Sequence, residues 1–452
     1  MRETLVKTEE FKDSPLGKIP ADWEVLPVRT FANVIRGASP RPKGDPLYYG
    51  GCVPRLMVED VTRDGKWVTP RVDSLTIAGA KLSRPLKKGD FVIVCSGTVG
   101  IPCLLAVNAC IHDGFLGLIH IDETKVSKDY LYLWFSSVQQ KMDASATHGG
   151  VFTNLTTQIL RDALVVLPKI QEQRAITTVI DTIDSTIAHT SSLIAKLKQM
   201  KAGLLHDLLT RGLDENGELR DGIGHPEHFK DSPLGQIPKD WEAQILGQVL
   251  ICIDAGKSPN CPDTPATAGE WGVLKVSAVH PNGFKPEENK VITNPTFINP
   301  IYEVKNGDLL ITRSNTYELV GLTCLVENPP PRLLLCDKTL RLNVDNQRAC
   351  TELMAYIIQT PFVRSQIQIN ATGSSAGMKN ISQEIIRNIL VALPKERDEQ
   401  ERIVTILNSY DTRIRTEEAY RDKLKLQKKG LMHDLLTGKV RVKDADKFTP
   451  CK

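Results

Sequence analysis

The chain lacks the features that mark several whole classes of protein. No apolar run approaches the roughly 18 residues a membrane helix needs. The opening "MRETLVKTEEFK" is charged throughout, unlike the apolar core of a signal peptide, so the expected location is the cytoplasm, with no membrane partner. Ten cysteines are scattered from Cys52 to Cys451 with no CxxC pair, which argues against a zinc ribbon or a disulfide framework. No GxGxxG loop is present, so no dinucleotide cofactor is implied. A net charge of +3 is too small by itself to announce a nucleic-acid binder.

Catalytic motifs are missing as well, although three fragments imitate them. "GKS" at Gly256 to Ser258 suggests a phosphate loop, but Ile251 stands where the first glycine is required. "NPPP" from Asn328 approaches the (D/N)PP-aromatic signature of amino-methyltransferases, yet Pro331 has no ring to stack on a base. Asp263 and Glu303, with Lys305, loosely imitate a metal-dependent nuclease, and the aligned stretch around Pro85 has no acid. His206-Asp207 and His433-Asp434 recur but fall on surface positions. His112-Asp113 and His148 have no partner at motif spacing. The expectation is a non-catalytic chain with no metal ligands.

What the chain does have is a repeat. "FKDSPLGKIPADWE" from Phe11 returns as "FKDSPLGQIPKDWE" from Phe229, with twelve of fourteen residues identical at an offset of 218. "LPKIQEQRAI" from Leu167 returns as "LPKERDEQERI" from Leu393, and "GLLHDLLTRG" from Gly203 as "GLMHDLLTGK" from Gly430. Between these anchors the likeness fades: "KKGDFVIVCSG" from Lys87 matches "KNGDLLITRSN" from Lys305 only loosely. Near-invariant frames around divergent middles suggest one scaffolding job done twice and two separate specificities.

The frames carry long helices. From Gln171 to Leu209 a seam runs through ten positions spaced alternately four and three, from Ile176 to Leu208, eight of them apolar. The counterpart from Ile403 to Leu435 has seven apolar residues of ten. Each helix follows a proline, Pro168 or Pro394, and stops at a glycine, Gly212 or Gly438. At about 40 residues each is roughly 60 Å long, and so long an apolar seam needs a partner. Connectivity makes the pair antiparallel, with Trp23 and Trp241 docking at its base. It also brings residue 1 near residue 440. The middles read as mixed α/β: "DFVIVCSG" and "DLLITRSN" as strands, and the stretches from Ser127 and Thr351 as capped helices, the second broken at Pro361.

Charge is uneven. Residues 36–88 carry eleven Lys or Arg against five acids, enough to neutralise phosphates. Basic residues near turn glycines can reach phosphates or guanine edges. The candidates for DNA binding are Arg36, Arg41, Lys43, Arg63 and Lys66 in the first middle and Lys257, Lys275, Arg313 and Lys379 in the second.

Taken together, "FKDSPLGxIPxDWE", "LPKxxEQxxI", "GLLHDLLTRG", "GLMHDLLTGKVRV" and "GDFVIVCSG" resemble the specificity subunits of type I restriction-modification systems over essentially the whole chain. The resemblance implies an α+β fold with two α/β target recognition domains related by pseudo-two-fold symmetry, separated by two long antiparallel helices forming a coiled coil. The expected segments are a joint at 1–24, a recognition domain at 25–166 and a central helix and linker at 167–228. A second joint and recognition domain at 229–392 and a C-terminal helix at 393–452 complete the chain. Each recognition domain would read half of a bipartite double-stranded DNA target. The helices would space the two domains and dock two methyltransferase (modification) subunits, to which endonuclease-translocase (restriction) subunits attach. S-adenosylmethionine, ATP and magnesium would belong to those partners, leaving no cofactor here. The alternatives are a coiled-coil assembly protein without a nucleic-acid role, or a fused methyltransferase or nuclease.

Overall fold

A computed structural model describes residues 5–147, 155–373 and 378–442, with only the backbone of 140–147; His148 and Cys451 lie outside these. The chain divides into two compact units, Met1–Ser191 with Ala419–Lys452, and Ser192–Glu418.

In the first unit the strand Phe91–Val94 lies inside a five-stranded sheet, between Phe115–Ile119 and Pro102–Leu105. Asn33–Arg36 flanks the former and Trp67–Val68 the latter. All four residues of the central strand are buried. Phe91 and Ile93 face a core shared with Tyr130, Leu131 and Phe135, while Val92 and Val94 face a second core with Leu56, Cys103 and Ile111. Side chains alternate across a strand, so burial on both faces demands the continuous apolar run seen in "FVIV".

The second unit repeats this plan where sequence likeness is weakest. Its four-stranded antiparallel sheet runs Leu250–Ala255, Thr339–Val344, Leu309–Thr312, Thr323–Leu325. Leu309 and Ile311 face one core and Leu310 another. The expected helices form at Lys128–Thr147 and Thr351–Ile358, with the break at Pro361 opening a further helix, Pro361–Asn370. Thr351 is the first helical residue there and Cys350 takes the cap position.

The long helices span Ile170–Thr210 and Arg397–Leu436. All twenty seam positions are buried or half-buried. In the first unit Lys428 bonds Asp184 at 2.7 Å, and Leu435 shares a core with Ile176. In the second, Lys201 bonds Asp411 at 2.6 Å, and Leu208 shares a core with Ile403. Within each unit numbers fall on one helix as they rise on the other, so the segments run antiparallel. Lys201 and Lys428, polar interruptions of the apolar seam, are thereby paired.

Each unit is closed by a lock built on the repeated Glu-Gln. The Trp23 indole Nε1 donates to Glu172 at 3.1 Å, and Arg441 donates to both Glu172 and Asp22. In the second unit Trp241 donates to Glu399 at 3.1 Å, and Arg220 bonds Glu399 and Asp240. The tryptophans are 0% and 1% exposed, so this polar contact satisfies an indole that has no water. The adjacent glutamines are buried too. Gln173 accepts from the Ser127 amide where the Lys128 helix begins and donates to the Lys125 and Pro168 carbonyls. Gln400 accepts from Cys350 and donates to Arg348 and Pro394. One dipeptide thus ties the entry tryptophan and the start of the helix at Lys128 or Thr351 to the long helix.

Residue 1 lies outside the described residues, but Leu5–Lys7 pairs antiparallel with Val440–Val442, close to the expected approach of residue 1 to residue 440.

Glu399 and Arg220 have side chains only 5% and 10% exposed, so removing one partner strands the other. Glu399→Ala is expected to destabilise the second unit by about 3 kcal/mol. Hydrogen exchange of residues 241–245 and 390–394 should accelerate while the first unit keeps its protection. Unchanged exchange there would show that the lock contributes nothing.

Candidate nucleic-acid interface

In the first unit the turn at Gly37 to Pro40 is pinned from below. The Gly37 and Ala38 amides donate to the Phe115 and Ile111 carbonyls at 3.0 and 3.1 Å. A Cβ on Gly37 would overlap the His112 carbonyl, so only glycine allows the approach. Ser39 donates to the Asp113 carboxylate, which holds that carboxyl below its ordinary range. Arg55, 5% exposed, pairs with Asp73, donates to Ser39 at 2.9 Å, and lies over the Tyr49 ring. Tyr49 in turn donates to the Pro40 carbonyl at 2.8 Å. Burial, and then Arg55, push His112 below its usual value. Its Nδ1 accepts from the Gly114 amide, which places the ring proton of the neutral form on Nε2.

The second unit builds the same turn from "GKSP". Gly256 donates to the Cys336 carbonyl at 3.2 Å, and a Cβ there would overlap the Leu335 carbonyl. Ser258 donates to Asp337, as Ser39 does to Asp113. The neighbouring backbone corresponds as well. The Arg313 amide donates to Lys338 and its carbonyl accepts from Ile381; Cys95 makes the same two bonds, to Gly114 and from Leu155. Arg313 therefore occupies the place of Cys95, as the loose alignment of "VCSG" with "TRSN" implied. The exposed Arg313 side chain is replaced in the first unit by a buried thiol.

The nine candidate cations separate into two groups. Arg36, Arg41 and Lys43 are exposed beside the first turn, and Arg36 Nε donates to the Asp113 carbonyl at 3.1 Å. Lys257, Arg313 and Lys379 gather around the second turn. Lys257 precedes Ser258, Arg313 bonds Lys338 beside Asp337, and the Lys379 strand pairs with Asn315. Lys379 Nζ donates to the Gly373 carbonyl at 3.0 Å. Among the described residues Arg41, Lys43, Lys257 and Arg313 form no ion pair with a carboxylate.

Arg63, Lys66 and Lys275 are engaged elsewhere. Arg63 donates to Asp64, Asp60 and the Thr69 carbonyl, and Asp64 holds its guanidinium above the ordinary value. Lys66 lies 3.1 Å from Asp129 and 3.2 Å from Asp181 on the long helix; burial opposes its charge, and the two carboxylates outweigh it. Lys275 shares Asp263 with Lys290, at 2.9 and 3.3 Å. In all three the positive charge already has a partner.

Sequence reasoning passed over the Ser39–Asp113 and Ser258–Asp337 anchors, Arg55, and the exposed Lys338. The signal was available, because "GASP" and "GKSP" align and each serine meets an aspartate following a strand. The nuclease-like set does not assemble. Asp263 is held by the two lysines, and the Glu303 carboxylate accepts from the Arg332 amide. Both anchored turns present cations over a fixed backbone, an arrangement that can set phosphates in register and aim side chains at base edges.

A family model described as "Type I restriction modification DNA specificity domain" matches residues 20–199 and 238–426. The MjaVIII specificity subunit of Methanocaldococcus jannaschii is 24% identical over 458 residues, covering 97% of both chains. The EcoEI specificity subunit of Escherichia coli is 29% identical over 205 residues, 45% of this chain and 33% of that protein. A crystal structure of a type I restriction-modification S subunit from M. genitalium aligns with a TM-score of 0.55 at 14% identity, over 91% of this chain and 96% of that one. A chain from a study of complex assembly and conformational transition of the type I R-M system aligns with a TM-score of 0.55 at 16% identity, over 92% and 98%. Among the described residues no helix is long and apolar enough to cross a membrane.

If the anchored turns carry the interface, Arg36→Ala and Arg313→Ala should each weaken binding of a cognate duplex by about 1–3 kcal/mol. For each phosphate left without its cation, the salt slope should fall by about one. Lys66→Ala should leave both unchanged. Fluorescence anisotropy across a salt series reads all three, and equal losses for Lys66 and Arg36 would remove the distinction.

Proposed function

Because the chain belongs to the type I restriction-modification DNA specificity family, we propose that each unit reads one half of a bipartite double-stranded DNA target through its anchored turn. The observation that carries this reading is the duplication of the Gly-x-Ser-Pro anchor, with a different set of exposed cations beside each copy. One repeated frame supports two chemically different surfaces, as two independent half-site readers require.

The partner reading rests on the frames. A cleft of about 930 Å³ in the first unit is lined by Leu16 and Ile19 of the entry hairpin (Phe11–Ser14 with Gly17–Pro20, matched by Phe229–Ser232 with Gly235–Pro238 in the second unit), Trp134 and Phe135, and Met432 and Leu436 at the end of the second long helix. Leu16 is 47% exposed. These hairpin and helix-end residues belong to the repeated segments, so a methyltransferase subunit that binds twice would find related surfaces on both units. The restriction subunits attach through that partner, and S-adenosylmethionine, ATP and magnesium act there. The chain is non-catalytic and works in the cytoplasm.

Replacing residues 25–166 with the equivalent segment of another family member should change one half of the methylated sequence and leave the other, read by sequencing genomic DNA. A change in both halves would overturn the two-reader assignment. Turnover by the purified chain alone, methylation or cleavage, would overturn the non-catalytic one.

Leu16→Asp places charge on the exposed tip of the first unit's hairpin without entering a core. Methyltransferase association should weaken by at least about tenfold in sedimentation, since burying an unpaired carboxylate costs more than about 1.4 kcal/mol. Unaltered association would move the docking surface elsewhere.

A further inference from the structure

Against the expectation of no metal ligands, the linker leading into the second hairpin gathers three donors. Pro226–His228 forms a single 3-10 turn whose preceding residue is His225. Residues three apart eclipse in that geometry, and the two imidazoles stack with centroids 5.2 Å apart and planes 16° from parallel. Glu227 Oε1 lies 2.9 Å from His225 Nδ1 and 3.9 Å from His228 Nε2. The three ligand atoms all fall within 4.8 Å of one another.

The backbone beneath them is fixed. Pro226 sets its own φ, the His228 amide donates to His225 at 3.0 Å, and the His225 amide to Asp221 at 3.0 Å. The Lys239 amide donates to the His228 carbonyl at 2.9 Å, tying the turn to the exit of the hairpin. Asp221 adds negative charge nearby. Its carboxylate accepts from the Ile223 and Gly224 amides at 3.0 Å.

We infer that His225, Glu227 and His228 form a binding site for a divalent late first-row metal ion of the zinc class. Two imidazoles and a carboxylate are a zinc donor set, with solvent completing the coordination. Bond lengths near 2.0–2.2 Å are reached by small rotations of three exposed side chains. A proton on His225 serves Glu227 but leaves His228 beyond hydrogen-bond reach of it, whereas one divalent ion serves all three. The site is confined to the second unit. Counting back from Phe11 as from Phe229, the first copy has Lys7, Glu9 and Glu10 in these places, with no imidazole. A bound ion would clamp the linker between the Arg220 lock and the hairpin of the second unit only.

The test is a calorimetric titration of the purified full chain with zinc chloride, with cobalt(II) absorption reporting ligand type. One saturable site in the micromolar range is expected, with a cobalt spectrum free of thiolate charge transfer. His225→Ala and His228→Ala should each weaken it by at least about tenfold, as loss of a ligand exceeds the roughly 10–100-fold effect of losing a ligand's support. Cys52→Ser and Cys261→Ser should bind like the unaltered chain. Zinc should slow hydrogen exchange over residues 221–229 in the unaltered chain and not in the histidine variants. No binding at millimolar zinc, or equal binding by the double histidine variant, would overturn the assignment.

Discussion

A buried carboxylate at the start of each long helix is the contact on which the architecture rests. Glu172 and Glu399 each receive a tryptophan indole from the entry segment of their own unit, and an arginine from the chain leaving the opposite long helix. Arg441 follows the second helix, and Arg220 follows the first. Each unit is therefore completed by chain that has passed through the other. A carboxylate in so apolar a place is tolerable only with its hydrogen bonds complete. Satisfying it requires three distant segments to arrive together, so the lock penalises partial assemblies more than it adds to stability.

The same logic applies along the helices. An uninterrupted apolar seam tolerates sliding by a heptad, whereas a lysine in the seam must find its carboxylate. Lys428 with Asp184 and Lys201 with Asp411 sit 227 positions apart in both members, the offset of the helix repeat. Tyr356 strengthens the second pair by donating to Asp411 at 2.6 Å, beneath the Lys201 ammonium. Each pair is half-exposed, so its direct stabilisation is small. Its effect is on register, which apolar contacts leave loosely defined.

This division explains what the sequence makes legible. The frames repeat almost letter for letter because tryptophan, Glu-Gln and the seam meet the same partners twice; their recurrence alone locates both joints and both helices. The central strands are readable because burial on two faces leaves little room for polar residues, Thr312 being accommodated by hydrogen bonds to Leu319 and Leu322. The sheets around them are not, since Tyr49–Leu56 pairs antiparallel with Asp73–Leu75 on one edge and parallel with Cys110 and Ile111, more than fifty positions on, at the other. Among the candidate cations, the neutralisation of Arg63 could be read from its neighbours Asp60 and Asp64. That of Lys66 could not, because Asp181 lies 115 positions on and meets it only through folding.

The anchored turns show how a frame can be kept while its surface changes. Gly37 and Gly256 are bound through backbone amides, and the positions of Cys95 and Arg313 are set by their own amide and carbonyl groups. Neither anchor uses the side chain that differs between units. A thiol folded into the core and a guanidinium directed to solvent satisfy the same two backbone bonds, so exchanging one for the other alters the presented charge without disturbing the ladder. The side-chain anchor that both turns share is serine to aspartate, two short groups that hold the bond close to the backbone. Divergence between the middles is therefore concentrated where the backbone asks nothing of the side chain, which is the physical condition for two readers of different sequence on one scaffold.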